Sequence, residues 1–148
     1  MQPSSAFKEV SGTIYGAYDY SFEGKGAWVG QAIMQIAGRA ASAATFVDRN
    51  NSIVRNDDGA ISGTETITLS FPDGGSFEVI AKFKGTPAST PGLYTLQESG
   101  KIANGKGPYD RVSGSIVVQG PFLLPDPAVT PGAPPWIAEM HGVIEGLK

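Results

Sequence analysis

The chain reads as an all-β protein, an antiparallel closed barrel, on three observations. Apolar residues recur with a period of two along most of the chain. The alternating stretches are separated by turns rich in Gly, Asn, Asp and Pro. No stretch sustains a convincing helical period. Composition agrees, with 20 Gly and 11 Pro in 148 residues, 17% charged and 41% hydrophobic. Glycine and proline at that level disfavour a helical bundle. The apolar share is that of a chain with a core rather than a disordered one. The length suits one domain, residues 1–148.

The elements follow in order. From Val10 to Phe22 the even positions are Val10, Gly12, Ile14, Gly16, Tyr18, Tyr20 and Phe22, which is the pattern of a half-buried strand. Phe22–Gly26 turns the chain. Ala27–Ile36 is a second strand, its Val29, Ile33 and Ile36 outweighing the helical leaning of Ala, Met and Gln, and it continues irregularly toward Phe46. Asp48–Asn51 and Asn56–Gly59 read as turns. Ile61–Phe71 and Ser76–Lys84 alternate on either side of Pro72–Gly75. Gly85–Gly92 is a loop, Leu93–Ala103 a strand, Asn104–Pro108 a turn and Val112–Gln119 a strand. Pro121–Pro135 holds six prolines and is read as a lid or oligomer contact before a last strand, Trp136–Leu147. Seven or eight antiparallel strands of this length close most readily into a barrel, since closure removes exposed edges. The alternative is a β-trefoil. Val10-Ser11-Gly12, Ile61-Ser62-Gly63 and Val112-Ser113-Gly114 recur at equal intervals of about 50 residues, although the rest of the three segments aligns poorly.

Several function classes are excluded. With no Cys and one His, a structural zinc site, a disulfide framework and a thiol nucleophile are not expected. A net charge of −3 offers no basic field for nucleic acid or an anionic membrane. No apolar run reaches the ~18 residues of a membrane span, and Met1–Lys8 lacks the basic and apolar regions of a signal peptide, so a cytoplasmic location is expected. The Asp48–Ser52 and Asn56–Asp58 segments lack the spacing of a calcium loop. The pairs Gly24/Gly26 and Gly105/Gly107 precede no helix and so cradle no phosphate. No metal and no cofactor are expected.

Alternation also sorts the carboxylates. Glu65 shares its face with Ile61, Ile67, Leu69 and Phe71, opposite a face made wholly of Ser and Thr. Glu98 shares its face with Tyr94, Leu96 and Ile102. Both glutamates therefore point inward, whereas Glu78, Lys82 and Lys84 point to solvent. A carboxyl buried without a partner has its pKa raised, which suits a general acid or base near neutral pH. The competing reading places each Glu at a rim, or pairs it with Arg39, Arg55 or Arg111. Inward Tyr18 and Tyr94 would stabilise an oxyanion, and Trp28, Phe77, Phe83, Tyr20 and Leu96 would shape a substrate cavity. Glu139 and His141 share one face of the last strand, and which side that face takes is left open by the pattern.

The stretch Thr95–Tyr109, with its Gly100-Lys101-Ile102 and Gly105-Lys106-Gly107-Pro108-Tyr109, followed by Val112-Ser113-Gly114, resembles the allene oxide cyclase-like barrels and the related dirigent proteins. Gly12–Gly16 and Phe22–Gly26 stand where that family carries its first strand and turn. The resemblance spans about residues 10 to 120 and implies an eight-stranded, lipocalin-like barrel with an apolar cavity. Family members cyclise an unsaturated epoxide or steer the coupling of phenoxy radicals, and dimers or trimers are in keeping with it. The cysteine of the plant cyclase sites has no counterpart here. The expected function is a cofactor-free isomerase, cyclase or lyase acting on a small hydrophobic or aromatic molecule, with a buried Glu moving the proton. The alternatives are a non-catalytic binding or dirigent-type guiding protein, and a structural barrel filled by its own side chains.

Overall fold

A computed structural model describes residues 7–128 and 132–147. Eight strands follow one another around a closed antiparallel barrel: β1 (Lys8–Asp19), β2 (Ala27–Ile36), β3 (Ser42–Arg55), β4 (Ile61–Ser70), β5 (Ser76–Pro87), β6 (Leu93–Lys106), β7 (Ser113–Leu123) and β8 (Pro135–Glu145). Each strand pairs with the next, and β8 returns to β1 with Ile14 opposite Ala138. The closed barrel replaces the trefoil alternative. The evenly spaced Ser-Gly pairs fall in or at the start of β1, β4 and β7, which have no threefold arrangement.

Alternation decides what lies inside. Val10, Ile14, Ala32, Met34, Phe46, Ile67, Leu69, Val79, Ile116, Val118, Trp136 and Ile144 are all buried in one core. In β8 the inward set is Trp136, Ala138, Met140 and Ile144, so Glu139 and His141 face outward and are exposed. Glycine makes room where a ring crosses the interior. A Cβ on Gly63 would lie 2.7 Å from the Phe83 ring and 2.0 Å from the Ser52 carbonyl oxygen, which no side chain tolerates.

Two sequence expectations need correction. Asp48–Asn51 is no turn: β3 runs straight through it, with Asp48 opposite Trp28 on β2 and Ile67 on β4. The polar run is absorbed by a bulge, because the register shifts between Asn50 and Ser52 and leaves Asn51 as the extra residue. The proline-rich stretch is also shorter as a connection than it reads, since β7 continues to Leu123 and β8 starts at Pro135. Its two ends are tied down, Leu124 N–H donating to Gly92 O and Tyr18 N–H to Pro134 O, each at 2.9 Å. Residues 129–131 of it lie outside the described residues.

The two ends of the barrel differ. One is plugged by Phe71, Phe77 and Tyr109, whose ring centroids lie 4.7 to 5.6 Å apart. The Tyr109 hydroxyl donates to Asp73 at 2.9 Å. Burial, followed by that bond, pushes its pKa up to about 12. Phe77 thus belongs to this plug and not to a ligand cavity. Truncating it, Phe77→Ala, is expected to lower the unfolding free energy by ~3–5 kcal/mol in urea denaturation, and to leave ligand binding at the other end unchanged under folding conditions.

Candidate functional site

The other end, the mouth, is where the inward carboxyls meet. It is formed by the residues around the β1–β2, β3–β4, β5–β6 and β7–β8 connections. Asp48 from β3, Glu65 from β4 and Glu98 from β6 are 1%, 4% and 3% exposed. Asp48 lies one diagonal step from Glu65, since its partner on β4 is Ile67. Glu65 and Glu98 are separated by β5, where Ala81 opposes Glu65 on one side and Gly100 on the other. Those two small residues leave space for the longer glutamates to converge over the strand.

Glu65 is the group whose charge acts on both neighbours. Two carboxylates cannot hydrogen-bond to each other, because both only accept. A proton on Asp48 or Glu98 turns the approach into a bond. The energetics favour that proton. Burial first, then the charge and hydrogen bond of Glu65, and lastly the charge of Glu98, hold the Asp48 carboxyl well above the usual range. Burial, then the hydrogen bond and charge of Glu65, do the same for Glu98. Even so, Asp48 Oδ1, Glu65 Oε2 and both Glu98 oxygens have no donor, and neither has the indole N–H of Trp136 an acceptor. No arginine is therefore hydrogen-bonded to Glu98, against the expectation that Arg39, Arg55 or Arg111 would neutralise it. The nearby Arg49 turns outward to Glu23 at 2.7 Å, with its guanidinium 5.6 Å from the Phe22 ring centroid.

Aromatic rings line the same space. Trp28 contacts Tyr18, Phe122 and Trp136 at 5.1, 5.9 and 5.5 Å between centroids, and Trp136 contacts Phe46 at 5.8 Å. Between them and the carboxyls is an internal cavity of ≈ 10 Å³, lined by Trp28, Asp48, Asn50, Ile53, Glu65, Phe83, Leu96, Phe122 and Trp136. That is room for about one water molecule. At this place in the barrel, aromatic side chains fill the space in which the family resemblance implies an apolar cavity. Free volume lies instead above, in a groove of ≈ 660 Å³ walled by Tyr18, Glu23, Arg49, Leu124, Pro125 and Pro127 among others. Asn50 and Ile53 belong to both, so the groove sits directly over the cavity.

The sequence candidates divide accordingly. Glu65, Trp28, Phe83 and Leu96 line the cavity, and Glu98 lies behind them, buried and acting on Glu65. Tyr18 stands in the groove wall, its hydroxyl pKa raised by burial, then by Tyr20 and Asp48, with Tyr20 packed on it at 5.1 Å. Tyr94 is buried against Phe122, one step removed. Phe77 lies at the plugged end. Alternation along Ala44, Phe46 and Asp48 was the signal for Asp48, and the turn reading hid it. Trp136 was legible only as an aromatic of undecided face. Among the described residues, no three His, Cys, Asp or Glu side chains are placed to hold a metal ion, and no helix is long and apolar enough to cross a membrane.

The cluster makes stability depend on pH. In the folded chain Asp48 and Glu98 keep protons that the unfolded chain releases above roughly pH 4. The stability they contribute is whole below that range and is lost as pH rises through their raised folded values. As pH rises above roughly pH 4 the unfolding free energy should fall, with a slope of up to ~1.4 kcal/mol per pH unit per group. Asp48→Asn and Glu98→Gln should each flatten that slope in urea titrations, and identical slopes in wild type and variants would refute the protonated cluster. Comparison of the chain with protein-family models, curated proteins and solved structures found no match.

Proposed function

We propose that the protein is a cofactor-free proton-transfer enzyme, an isomerase, cyclase or lyase, whose small aromatic or apolar substrate lies in the mouth groove with its reactive end against Asp48, Glu65 and Glu98. One observation carries this reading: three buried carboxyls are clustered, Asp48 and Glu65 on the cavity wall and Glu98 beside Glu65, two of them with raised pKa values, and four of their oxygens have no partner. A barrel with a purely structural interior gains nothing from such groups. Replacing buried, uncompensated charges by apolar side chains is commonly neutral or stabilising. Acid and base in one cluster is, however, what a proton shuttle needs.

In this reading Glu98 donates a proton to the substrate and Glu65 accepts one, while Asp48 stands protonated beside Glu65. The number of protons on the cluster is the same before and after turnover. Tyr18, in the groove wall, hydrogen-bonds a developing oxyanion. Trp28, Phe83 and Leu96 hold the reactive end, and Tyr20 and Tyr94 support the rings that touch it. The resemblance to allene oxide cyclase-like barrels, which implies a barrel used as a mould for reactive small molecules, is in keeping with this assignment.

The reading is tested by hydrogen exchange on small enolisable aryl ketones in D₂O, followed by NMR. Wild type should accelerate α-deuteration, and Glu65→Gln and Glu98→Gln should each reduce the acceleration by about 10²–10⁴-fold. A ketone that protects the tryptophans from quenching but shows no exchange would instead mark a binding protein with no proton transfer.

A further inference from the structure

We infer that the one-water cavity is the seat of an ammonium group, so that the ligand of this barrel is a primary amine with an aromatic or apolar body lying in the groove above. This deepens the reading of the mouth as a ligand site and does not require turnover.

The argument is one of matching inventories. Asp48 Oδ1 and Glu65 Oε2 on the cavity wall, and the two oxygens of Glu98 behind Glu65, are four buried oxygens without hydrogen-bond partners. A primary ammonium supplies three N–H donors and accepts nothing. Trp136, 2% exposed and lining the same cavity, supplies the fourth through an indole N–H that has no partner of its own. A cation is also the one kind of group that relieves the mutual repulsion of three carboxyls with no basic side chain hydrogen-bonded to Glu98. The walls suit it, because Trp28, Phe83, Phe122 and Trp136 all face the cavity and aromatic faces attract cations. Size agrees too. The ≈ 10 Å³ cavity admits a headgroup about as large as a water, while the groove of ≈ 660 Å³ above it, reached past Asn50 and Ile53, takes the rest of the molecule.

The titratable groups at the cavity are Asp48 from β3 and Glu65 from β4, with Glu98 from β6 behind them, and the groove above adds Tyr18, Glu23, Lys25, Arg49 and Asp126. Strands β2, β5, β7 and β8 present Trp28, Phe83, Phe122 and Trp136. Seating R–NH₃⁺ displaces a proton from the Asp48/Glu98 carboxyls to solvent, so binding should release protons and tighten as pH rises toward the raised carboxyl values.

The experiment is a titration of the whole chain with 2-phenylethylamine and, separately, with 2-phenylethanol, which has the same body and a neutral hydroxyl. Binding is read by fluorescence of Trp28 and Trp136, the only two tryptophans, and by calorimetry in buffers of different ionisation enthalpy. The amine should bind at least ~10-fold more tightly than the alcohol, with proton release. Glu98→Gln and Asp48→Asn should each weaken the amine by about tenfold or more and leave the alcohol unchanged. Glu139→Gln, on the outer face, should change neither, and unaltered circular dichroism identifies folded variants. Equal affinity for the two ligands, or amine binding without proton release, overturns the ammonium assignment while keeping the mouth as a ligand site. No response to either compound overturns both.

Discussion

Burial of three carboxyls inside an otherwise apolar barrel is the constraint on which the rest of this structure turns. Every strand except β3 is hydrogen-bonded on both sides along most of its length, so the wall spares few polar groups to answer an inward carboxyl. Asp48, Glu65 and Glu98 are thus left to each other. The first consequence is protonation, since burial and mutual repulsion hold Asp48 and Glu98 in their neutral forms beyond the usual range. The second is incompleteness, because sharing protons among three carboxyls still leaves four oxygens without donors.

The barrel tolerates this because its two ends do different work. Phe71, Phe77 and Tyr109 close one end with three ring contacts and a hydrogen bond from Tyr109 to Asp73. That plug and the apolar belt of Ile14, Ile67, Leu69, Ile116 and Val118 supply the burial on which stability depends. The mouth carries the unsatisfied groups. Such a division, with stability in one region and strain in another, is how proteins keep sites that would not be chosen for stability alone.

Much of this was legible in the sequence, and what was not has physical reasons. The period of two placed Glu65 and Glu98 inside because both sit in long, uninterrupted alternations whose opposite faces are plainly polar. The same rule applied to Ala44, Phe46 and Asp48, but Asp, Arg, Asn, Asn and Ser in succession outweighed it. A β-bulge has no reliable signature in one sequence, and a turn made of the same residues looks alike. Phe77 reads correctly as inward and is grouped with Phe83 among the cavity residues, because alternation assigns a face and not a depth. Phe77 and Phe83 are six residues apart on β5, roughly 20 Å along the strand. Cavity size was out of reach for a related reason. Whether Trp28, Phe122 and Trp136 enclose a space or fill it depends on how their rings tilt against one another, which alternation does not encode.

The bulge that hid Asp48 also shapes the way in. Pairing between β2 and β3 ends at Trp28 and Asp48. Beyond that point β3 has β4 as its one partner strand, from Arg49 to Arg55. Asn51 interrupts even that ladder, and the stretch from Asn51 onward is exposed, with Ile53 at 45% and Val54 at 57%. A strand held on one edge with a broken register opens at lower free energy than the doubly paired wall below it. Asn50 and Ile53 lie on this stretch and separate the groove from the cavity. The residues that a ligand must displace to reach the carboxyls are therefore carried by the least restrained part of the barrel wall. The fold joins a rigid, protonated floor to a yielding threshold, and the Asp48–Asn51 segment of β3 supplies a part of each.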